Sequence, residues 1–201
     1  MNHIQSLMLK LSYERPVFNS LKDFTDSAWS ILNQNYTVIS RDNRILGKKT
    51  HFVLPNEKLI LMMSYRTSEF SVQMNGDNFS LKNQGAFDGG RVGLLSHVKY
   101  LEYFVKQYTH YIGYAILLTN DDHYWSETRR GIHKTVDEEF RIHQGRIISG
   151  HLNGRLDGKH ISLQLEGTYP LNWCNYSQVM GSGDGIFRYL SVPVVGVDVN
   201  L

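Results

Sequence analysis

The sequence predicts an α/β or α+β fold in which helices flank a central mixed β-sheet. Two amphipathic helix patterns are separated by several short β-rich segments. A nearly continuous apolar run then covers residues 111–119, as expected of a strand that is buried on both faces. After residue 145, alternating segments bounded by glycine predict additional antiparallel strands. This order of elements is typical of a sandwich built on one sheet.

The first helix is predicted by its cap and by the spacing of its apolar residues. Ser20 and Asp23 have the spacing of a capping box. Apolar residues then recur at steps of three and four, the pattern of one buried helix face: Leu21, Phe24, Ala28, Ile31 and Leu32. We therefore expect a helix over residues 20–34.

Four β-rich segments are predicted to form strands: residues 36–40, 50–54, 58–65 and 70–74. Pro55 and Asn56 lie between the second and third segments and favour a turn, so these two strands should form a hairpin. The fourth segment ends at Asn75 and Gly76, which again favour a turn.

A glycine-rich stretch at residues 85–93 precedes the second helix and is predicted to be a loop. The helix has an apolar face formed by Leu94, Leu95, Val98, Leu101, Phe104 and Val105. The stretch has no nucleotide-loop motif. Two interpretations stay open, a flexible connector and a loop that contacts phosphate or nucleic acid.

Composition indicates a single domain over residues 1–201. The chain is 41% hydrophobic and carries 21 basic and 19 acidic residues, a net charge of +2, which is not that of a strongly basic nucleic-acid binder. Repeats and linker-like tracts are not evident in the sequence. We expect a core over about residues 20–144 and a β-rich extension over about residues 145–201 that packs on it.

Three features of the sequence predict a cytoplasmic protein that does not cross a membrane. The single cysteine, Cys174, cannot form an intramolecular disulfide and fits a reducing compartment. Its neighbours are aromatic, so a structural thiol is expected rather than a nucleophile. Residues 1–16 lack the pattern of a signal peptide, and no apolar run reaches about 18 residues.

Motifs for metal binding or hydrolysis are weak. The histidines between residues 123 and 160 recur at roughly ten-residue intervals without the i,i+4 spacing of a zinc helix. Asp157 and Lys159 flank Gly158 in what we predict to be a turn rather than a nuclease pair. We therefore expect no resident metal or other cofactor.

Several sequence blocks are informative when they are taken together. The blocks are Lys82–Arg91, Val98–Glu102, Gly113–Asp121 with Tyr124-Trp125, Tyr169–Trp173 with Tyr176-Ser177, and Phe187–Leu190. Together these blocks resemble a group of small bacterial proteins that is similar to the PD-(D/E)XK nuclease superfamily. The blocks span most of the chain in the expected order. The resemblance implies a restriction-endonuclease-like fold.

The superfamily's chemistry requires an Asp on one strand of a hairpin and a Glu-x-Lys motif on the next, which bind Mg²⁺ and activate water. By this resemblance, His51 stands in place of the Asp, Met62 in place of the Glu, and Ser64 in place of the Lys. The neighbouring residues Tyr65, Arg66 and Thr67 match the tyrosine, the basic residue and the threonine that relatives have at these positions of the second strand. The resemblance therefore implies a degenerate active site.

We expect a catalytically inactive nuclease-like protein that acts by binding nucleic acid or a protein partner, in a context of bacterial defence or a mobile element. The residues expected to contact nucleic acid are Arg66, Lys82, Gln84 and Arg91. The first alternative is an active Mg²⁺-dependent DNA nuclease that uses relocated acids, with Glu57 and Glu69 as candidates beside Lys82. The second alternative is a protein-interaction module without a nucleic-acid role. Homodimerisation is compatible with each of these.

Overall fold

The computed structural model describes residues 3–37, 40–42, 44–127 and 137–196. These residues form three α-helices and thirteen strands. The helices are α1 (His3–Glu14), α2 (Leu21–Asn35) and α3 (Phe87–Gln107). The strands are β1 (Ser40–Arg41), β2 (Arg44–Ile45), β3 (Lys48–Lys49), β4 (Phe52–Leu54), β5 (Leu59–Arg66), β6 (Phe70–Met74), β7 (Asp77–Leu81), β8 (Ile112–Thr119), β9 (Ile147–Leu156), β10 (Lys159–Pro170), β11 (Trp173–Gln178), β12 (Ser182–Gly183) and β13 (Ile186–Val195).

Six strands form a central mixed sheet in the order β1-β4-β5-β8-β13-β11. Only β5 and β8 are parallel neighbours in this sheet, and each of its other neighbouring pairs is antiparallel. The chain passes from β5 to β8 through the β6–β7 hairpin and α3, which packs on the sheet. The predicted α+β architecture with a central mixed sheet is therefore confirmed.

Most predicted elements lie close to their expected positions. The Ser20 side chain caps α2 by accepting a hydrogen bond from the backbone N–H of Asp23 at 3.1 Å. β4 and β5 form the predicted hairpin, which is closed by a hydrogen bond from the Lys58 N–H to the Pro55 carbonyl at 3.3 Å.

For the other strands, the predicted boundaries agree with the structure in some cases and not in others. β6 has the predicted bounds, and β8 begins one residue later than the predicted segment. Of the segment predicted at 36–40, residues 36 and 37 are not in a strand, β1 begins at Ser40, and residues 38 and 39 lie outside the described residues.

The glycine-rich stretch differs from its prediction. The prediction of a loop over residues 85–93 is wrong beyond residue 86, because α3 begins at Phe87 and includes Gly89, Gly90 and Gly93. Packing of the apolar face of α3 stabilises a helix whose first turns have low intrinsic helix propensity.

The central sheet separates two hydrophobic cores. The first core lies between the sheet and α3 with the β9–β10 hairpin, and the second lies between the sheet and α1, α2 and β6–β7. β8 contributes to both, since Ala115 and Leu117 face the first core while Ile116 and Leu118 face the second. The prediction that this strand is covered on both faces is confirmed.

The part of the chain after residue 145 is closely joined to the rest. β13 pairs with β8 and β11 pairs with β13, so the predicted extension supplies two strands of the central sheet. The β9–β10 hairpin packs on α3, with Leu152 and Leu165 in the first core. Among the described helices, none is long and apolar enough to cross a membrane.

Candidate functional site

A pocket of about 420 Å³ lies where β5 ends beside the first turns of α3. We call it the β5 pocket. Its polar lining includes His51, Ser64, Arg66, Gln84 and His97. Its lining, taken over the described residues, contains no Asp or Glu. The carboxyl ends of parallel strands such as β5 and β8 are frequent ligand-binding positions in mixed sheets.

Four parts of the chain position these side chains. Ser64 and Arg66 are two residues apart on β5, so both face α3. His97 reaches the pocket from α3, Gln84 precedes that helix, and His51 precedes β4. Gly90 and Gly93 on α3 also line the pocket, where the absence of side chains leaves space.

The imidazole of His51 is held by the backbone of β5. Its Nδ1 accepts a hydrogen bond from the N–H of Met63 at 3.0 Å. This bond assigns the proton of the neutral ring to Nε2. Burial lowers the pKa of His51, and Lys49 lowers it further, while Asp42 acts in the opposite direction. The ring is therefore neutral at pH 7.

His97 is a second neutral imidazole in the same pocket. Its Nδ1 lies 3.4 Å from the Ser64 hydroxyl oxygen. Burial, together with the nearby His51 and Lys48, lowers the pKa of His97 to about 4. The β5 pocket thus presents two uncharged imidazoles and a hydroxyl, all of which can form hydrogen bonds to a ligand.

Two hydrogen bonds bring Lys82 and Gln84 to the end of β5. The Thr67 hydroxyl donates to the Lys82 carbonyl at 2.7 Å, and the Gln84 N–H donates to the Thr67 carbonyl at 3.0 Å. Both side chains are exposed, and Arg66 beside them is half-buried. In the described part of the chain, neither Arg66 nor Lys82 forms an ion pair with a carboxylate. Three of the four residues predicted to contact nucleic acid therefore lie together.

The fourth predicted residue, Arg91, has a different environment. Its guanidinium is buried and lies 2.7 Å from the Asp137 carboxylate and 3.5 Å from that of Asp88. It also donates to the His123 carbonyl at 2.8 Å. Arg91 thus joins α3 to the segments that follow β8, and it does not line the β5 pocket.

The three positions implied by the nuclease resemblance are only partly brought together. His51 and Ser64 line the β5 pocket, whereas Met62 is 3% exposed and packs in the first core. The relocated acids Glu57 and Glu69 lie before the start and after the end of β5. An eight-residue strand spans about 25 Å. One cation therefore cannot contact both carboxylates.

A second pocket, of about 650 Å³, lies at the carboxyl end of β8 and was not predicted from the sequence. We call it the β8 pocket. Its lining includes Asn120, Trp125, Asn175, Gln178 and Arg188. The Arg188 guanidinium lies 5.6 Å from the centre of the Trp125 ring, a cation–π contact. The sequence signal was limited to Tyr124-Trp125 and to Phe187–Leu190, whose proximity depends on strand pairing.

Asp121, Asp122 and His123 form a group beside this pocket with potential ligand atoms within 4.8 Å of one another. The Asp121 carboxylate already accepts the backbone N–H of His123 at 3.1 Å and lies 2.9 Å from its Nδ1. These contacts within the group account for its compactness, and they cap the short 3₁₀ helix at Asp122–Tyr124.

Comparison with protein-family models, with curated proteins and with solved structures found no match to this chain. Its relationship to the PD-(D/E)XK superfamily stays a prediction from the sequence blocks.

Proposed function

We propose that this chain is a nucleic-acid-binding protein of nuclease-like architecture that lacks metal-dependent cleavage. The main support is the composition of the β5 pocket. The pocket is lined by uncharged imidazoles and a hydroxyl beside Arg66, and carboxylates are not part of its described lining. These groups can bind an anionic ligand but are poorly suited to hold Mg²⁺.

The position of the pocket agrees with the resemblance that motivates the proposal. The superfamily's acids are expected on the two strands of a hairpin, and here β4 and β5 form such a hairpin. His51 directly precedes β4, and Ser64 lies on β5. We expect a pocket of this composition in a nuclease-like protein whose catalytic residues have been replaced while the fold is retained.

Binding of a hard cation is disfavoured for two physical reasons. Mg²⁺ requires oxygen ligands in near-octahedral geometry, with one or more carboxylates. His51 and His97 supply nitrogen atoms instead, and the Nδ1 of His51 is already used by Met63. Glu57 and Glu69 are the acidic residues that could replace the missing ligands, but they lie at opposite ends of β5 and cannot bind one cation together.

The charges at the pocket favour a polyanion over a neutral or basic protein surface. Arg66 lies at the carboxyl end of β5 and lines the pocket with Gln84, and the backbone of Lys82 is hydrogen-bonded to Thr67, the residue after Arg66. Arginine, lysine and glutamine side chains commonly contact the phosphates and bases of nucleic acids. Lys48 is a further cation, and it lies close enough to His97 to lower the pKa of that imidazole.

Binding is tested by fluorescence anisotropy with labelled DNA at about 50 and 200 mM salt. Arg66→Ala combined with Lys82→Ala should weaken binding by about tenfold or more and reduce the salt dependence, because two phosphate contacts are lost. Lys58→Ala combined with Lys106→Ala is the matched control, since it removes two exposed cations, one just before the start of β5 and one at the end of α3, away from the β5 pocket. This control should leave binding unchanged.

Cleavage is tested in parallel on linear, nicked and single-stranded DNA with Mg²⁺ or Mn²⁺. We expect none. Mg²⁺-dependent cleavage that Glu57→Ala or Glu69→Ala abolishes would establish an active nuclease instead. The lack of any DNA binding at 50 mM salt, where phosphate contacts are strongest, would overturn the proposal in favour of a protein-interaction module.

A further inference from the structure

We propose that the nucleic acid binds as a single strand, with an unpaired base that carries an exocyclic amino group in the β8 pocket. This inference rests on the function proposed above. It assigns the phosphates to the β5 pocket and the base to the β8 pocket.

The two pockets share one edge of the central sheet. Arg66 on β5 is in register with Thr119 on β8, and Thr119 is in register with Arg188 on β13. Residues in register across a sheet project to the same face. With neighbouring strands about 4.8 Å apart, the backbones of Arg66 and Arg188 are about 10 Å apart on one face. A strand of nucleic acid that contacts Arg66 thus reaches the β8 pocket within one or two nucleotides.

Asn120 fixes the relation between the two pockets. Its side-chain oxygen accepts the N–H of Ser68 at 2.9 Å, and its Nδ2 donates to the Asp184 carbonyl at 2.7 Å. Ser68 follows the end of β5, while Asp184 lines the β8 pocket. These hydrogen bonds therefore fix the positions of the two pockets relative to each other in the absence of a ligand.

The β8 pocket is lined by an aromatic ring and an arginine, two groups on which bases stack. The Arg188 guanidinium lies over the half-buried Trp125 ring, and it also donates to the Trp173 carbonyl at 3.1 Å. Trp173 packs edge-on against Trp125, with ring centres 5.7 Å apart. Unstacked bases bind on aromatic rings and on arginine planes.

The remaining polar groups favour a base over a phosphate. Two carboxylates, Asp122 and Asp184, line the pocket with the single cation Arg188. Asp184 accepts a hydrogen bond from the Ser68 hydroxyl at 3.0 Å, and Asp122 lies 3.3 Å from Nδ1 of His123, so each carboxylate keeps acceptor capacity. Carboxylates repel phosphate but accept hydrogen bonds from the amino groups of adenine, cytosine and guanine.

Two exposed amide side chains complete the recognition surface. Asn175 and Gln178 lie on β11 and reach the same pocket. Amides can pair with both the donors and the acceptors of a base edge. The rim carries Met180, which is 94% exposed, and Ile186, which is 53% exposed, and these side chains can cover the apolar face of a base.

This pocket is suited to a base that is not paired. Its volume is within the range of small-molecule sites, about 300–1,000 Å³. In a duplex, the Watson–Crick edge is hydrogen-bonded to the partner strand and each face is stacked, so neither can be reached by these residues.

The test measures anisotropy of labelled dA, dC and dT 12-mers and of a duplex with the whole protein. We expect the dA and dC strands to bind about tenfold more tightly than dT and than the duplex. Trp125→Ala should weaken dA binding by about tenfold through lost stacking. Asp122→Asn with Asp184→Asn should reduce the difference between dA and dT without weakening dT binding, because each substitution replaces a carboxylate that accepts from the exocyclic amino group by a neutral amide. This second variant alters only exposed side chains and therefore should fold even if Trp125→Ala does not.

Ser162→Ala with Gln164→Ala, exposed on the β9–β10 hairpin and outside the lining of both pockets, is the control and should bind as the parent protein does. Equal affinity for all four probes, with no effect of the Asp122 and Asp184 substitutions, would overturn this inference and leave nucleic-acid binding intact. A lack of binding to every probe would instead overturn the proposed function, so the two failures are distinguishable.

Discussion

Gly90 and Gly93 lie one turn apart on α3 and have different surroundings. A Cβ atom at Gly90 would lie 2.1 Å from the Tyr124 hydroxyl oxygen and 2.9 Å from Cζ of the same ring. A Cβ at Gly93 would meet nothing within 4 Å. Tyr124, which is 3% exposed, can pack against α3 only because residue 90 has no side chain.

We expect Gly90→Ala to lower the free energy of unfolding by about 1–3 kcal/mol, because the buried tyrosine must move. Gly93→Ala should raise it by about 0.5–1 kcal/mol, since alanine favours an open helical position. Urea denaturation followed by far-UV circular dichroism measures both. Equal effects of the two substitutions would show that Tyr124 does not pack on Gly90.

Some residues of the site could be predicted from the sequence, and others could not. Arg66, Lys82 and Gln84 were identified because the resemblance marked the end of β5 and the segment before α3. His97 was not, because it lies 33 residues after Ser64 and no local motif links the two. Arg91 has the chemistry of a phosphate ligand, but its ion pair with Asp137 depends on tertiary packing.

At the scale of elements, α3 and β10 are joined by one buried carboxylate. β10 has a register shift between Leu165 and Thr168. The Glu102 carboxylate accepts the N–H groups of Glu166 and Gly167 and the hydroxyl of Tyr169, each at 2.8 Å. At the register shift, the N–H groups of Glu166 and Gly167 have no partner on the neighbouring strand, and Glu102 accepts their hydrogen bonds instead.

Glu102→Ala should lower the free energy of unfolding by about 3 kcal/mol, since three donors lose a buried acceptor. Glu166→Ala is the matched control on the same bulge. Its side chain is half exposed and pairs with Lys106 at the surface, so its loss should change stability far less than the loss of Glu102 does. Chemical denaturation of the two variants tests this, and a cost for Glu102→Ala no larger than for the control would contradict it.

Helices and strands were predictable where local patterns were strong, as in α2, β5, β6 and β8. α1 was not predicted, although its buried residues Ile4, Leu7, Met8 and Leu11 have helical spacing. At the start of α3, the local signal was misleading. The glycines there favour a loop, but packing of the apolar helix face against the sheet stabilises a helix.

At the scale of the whole molecule, the two cores share the central sheet and should unfold together. β8 contributes side chains to both cores, so neither core can be lost without removing packing from the other. The tryptophans are divided between them, with Trp29 against the second core and Trp125 and Trp173 in or against the first. Each core therefore has its own fluorescent reporter.

We expect Trp29→Phe, and separately Trp125→Phe combined with Trp173→Phe, to give a single unfolding transition in urea. Within each variant, the fluorescence midpoint should coincide with the midpoint from far-UV circular dichroism. Separate midpoints for the two probes would show that the cores are independent units and would contradict the single domain predicted from the sequence.

The sheet order could not be predicted from the sequence, and the β8 pocket depends on it. β13 pairs with β8 although more than 60 residues separate them, so Arg188 comes beside Thr119 only in the folded chain. Alternation and turn residues predict that such strands exist, whereas their neighbours are selected by long-range packing.

The burial of Met62 has a consequence for how the chain can evolve. A glutamate at this position would place a carboxylate in the first core, where the surrounding side chains are apolar, at a cost of several kcal/mol. The acid would gain a metal partner only after His51 and Ser64 had also changed. A route from this chain to a metal-dependent nuclease would therefore pass through destabilised and inactive intermediates. While a methionine fills this space, selection for stability alone is enough to keep such a centre from forming.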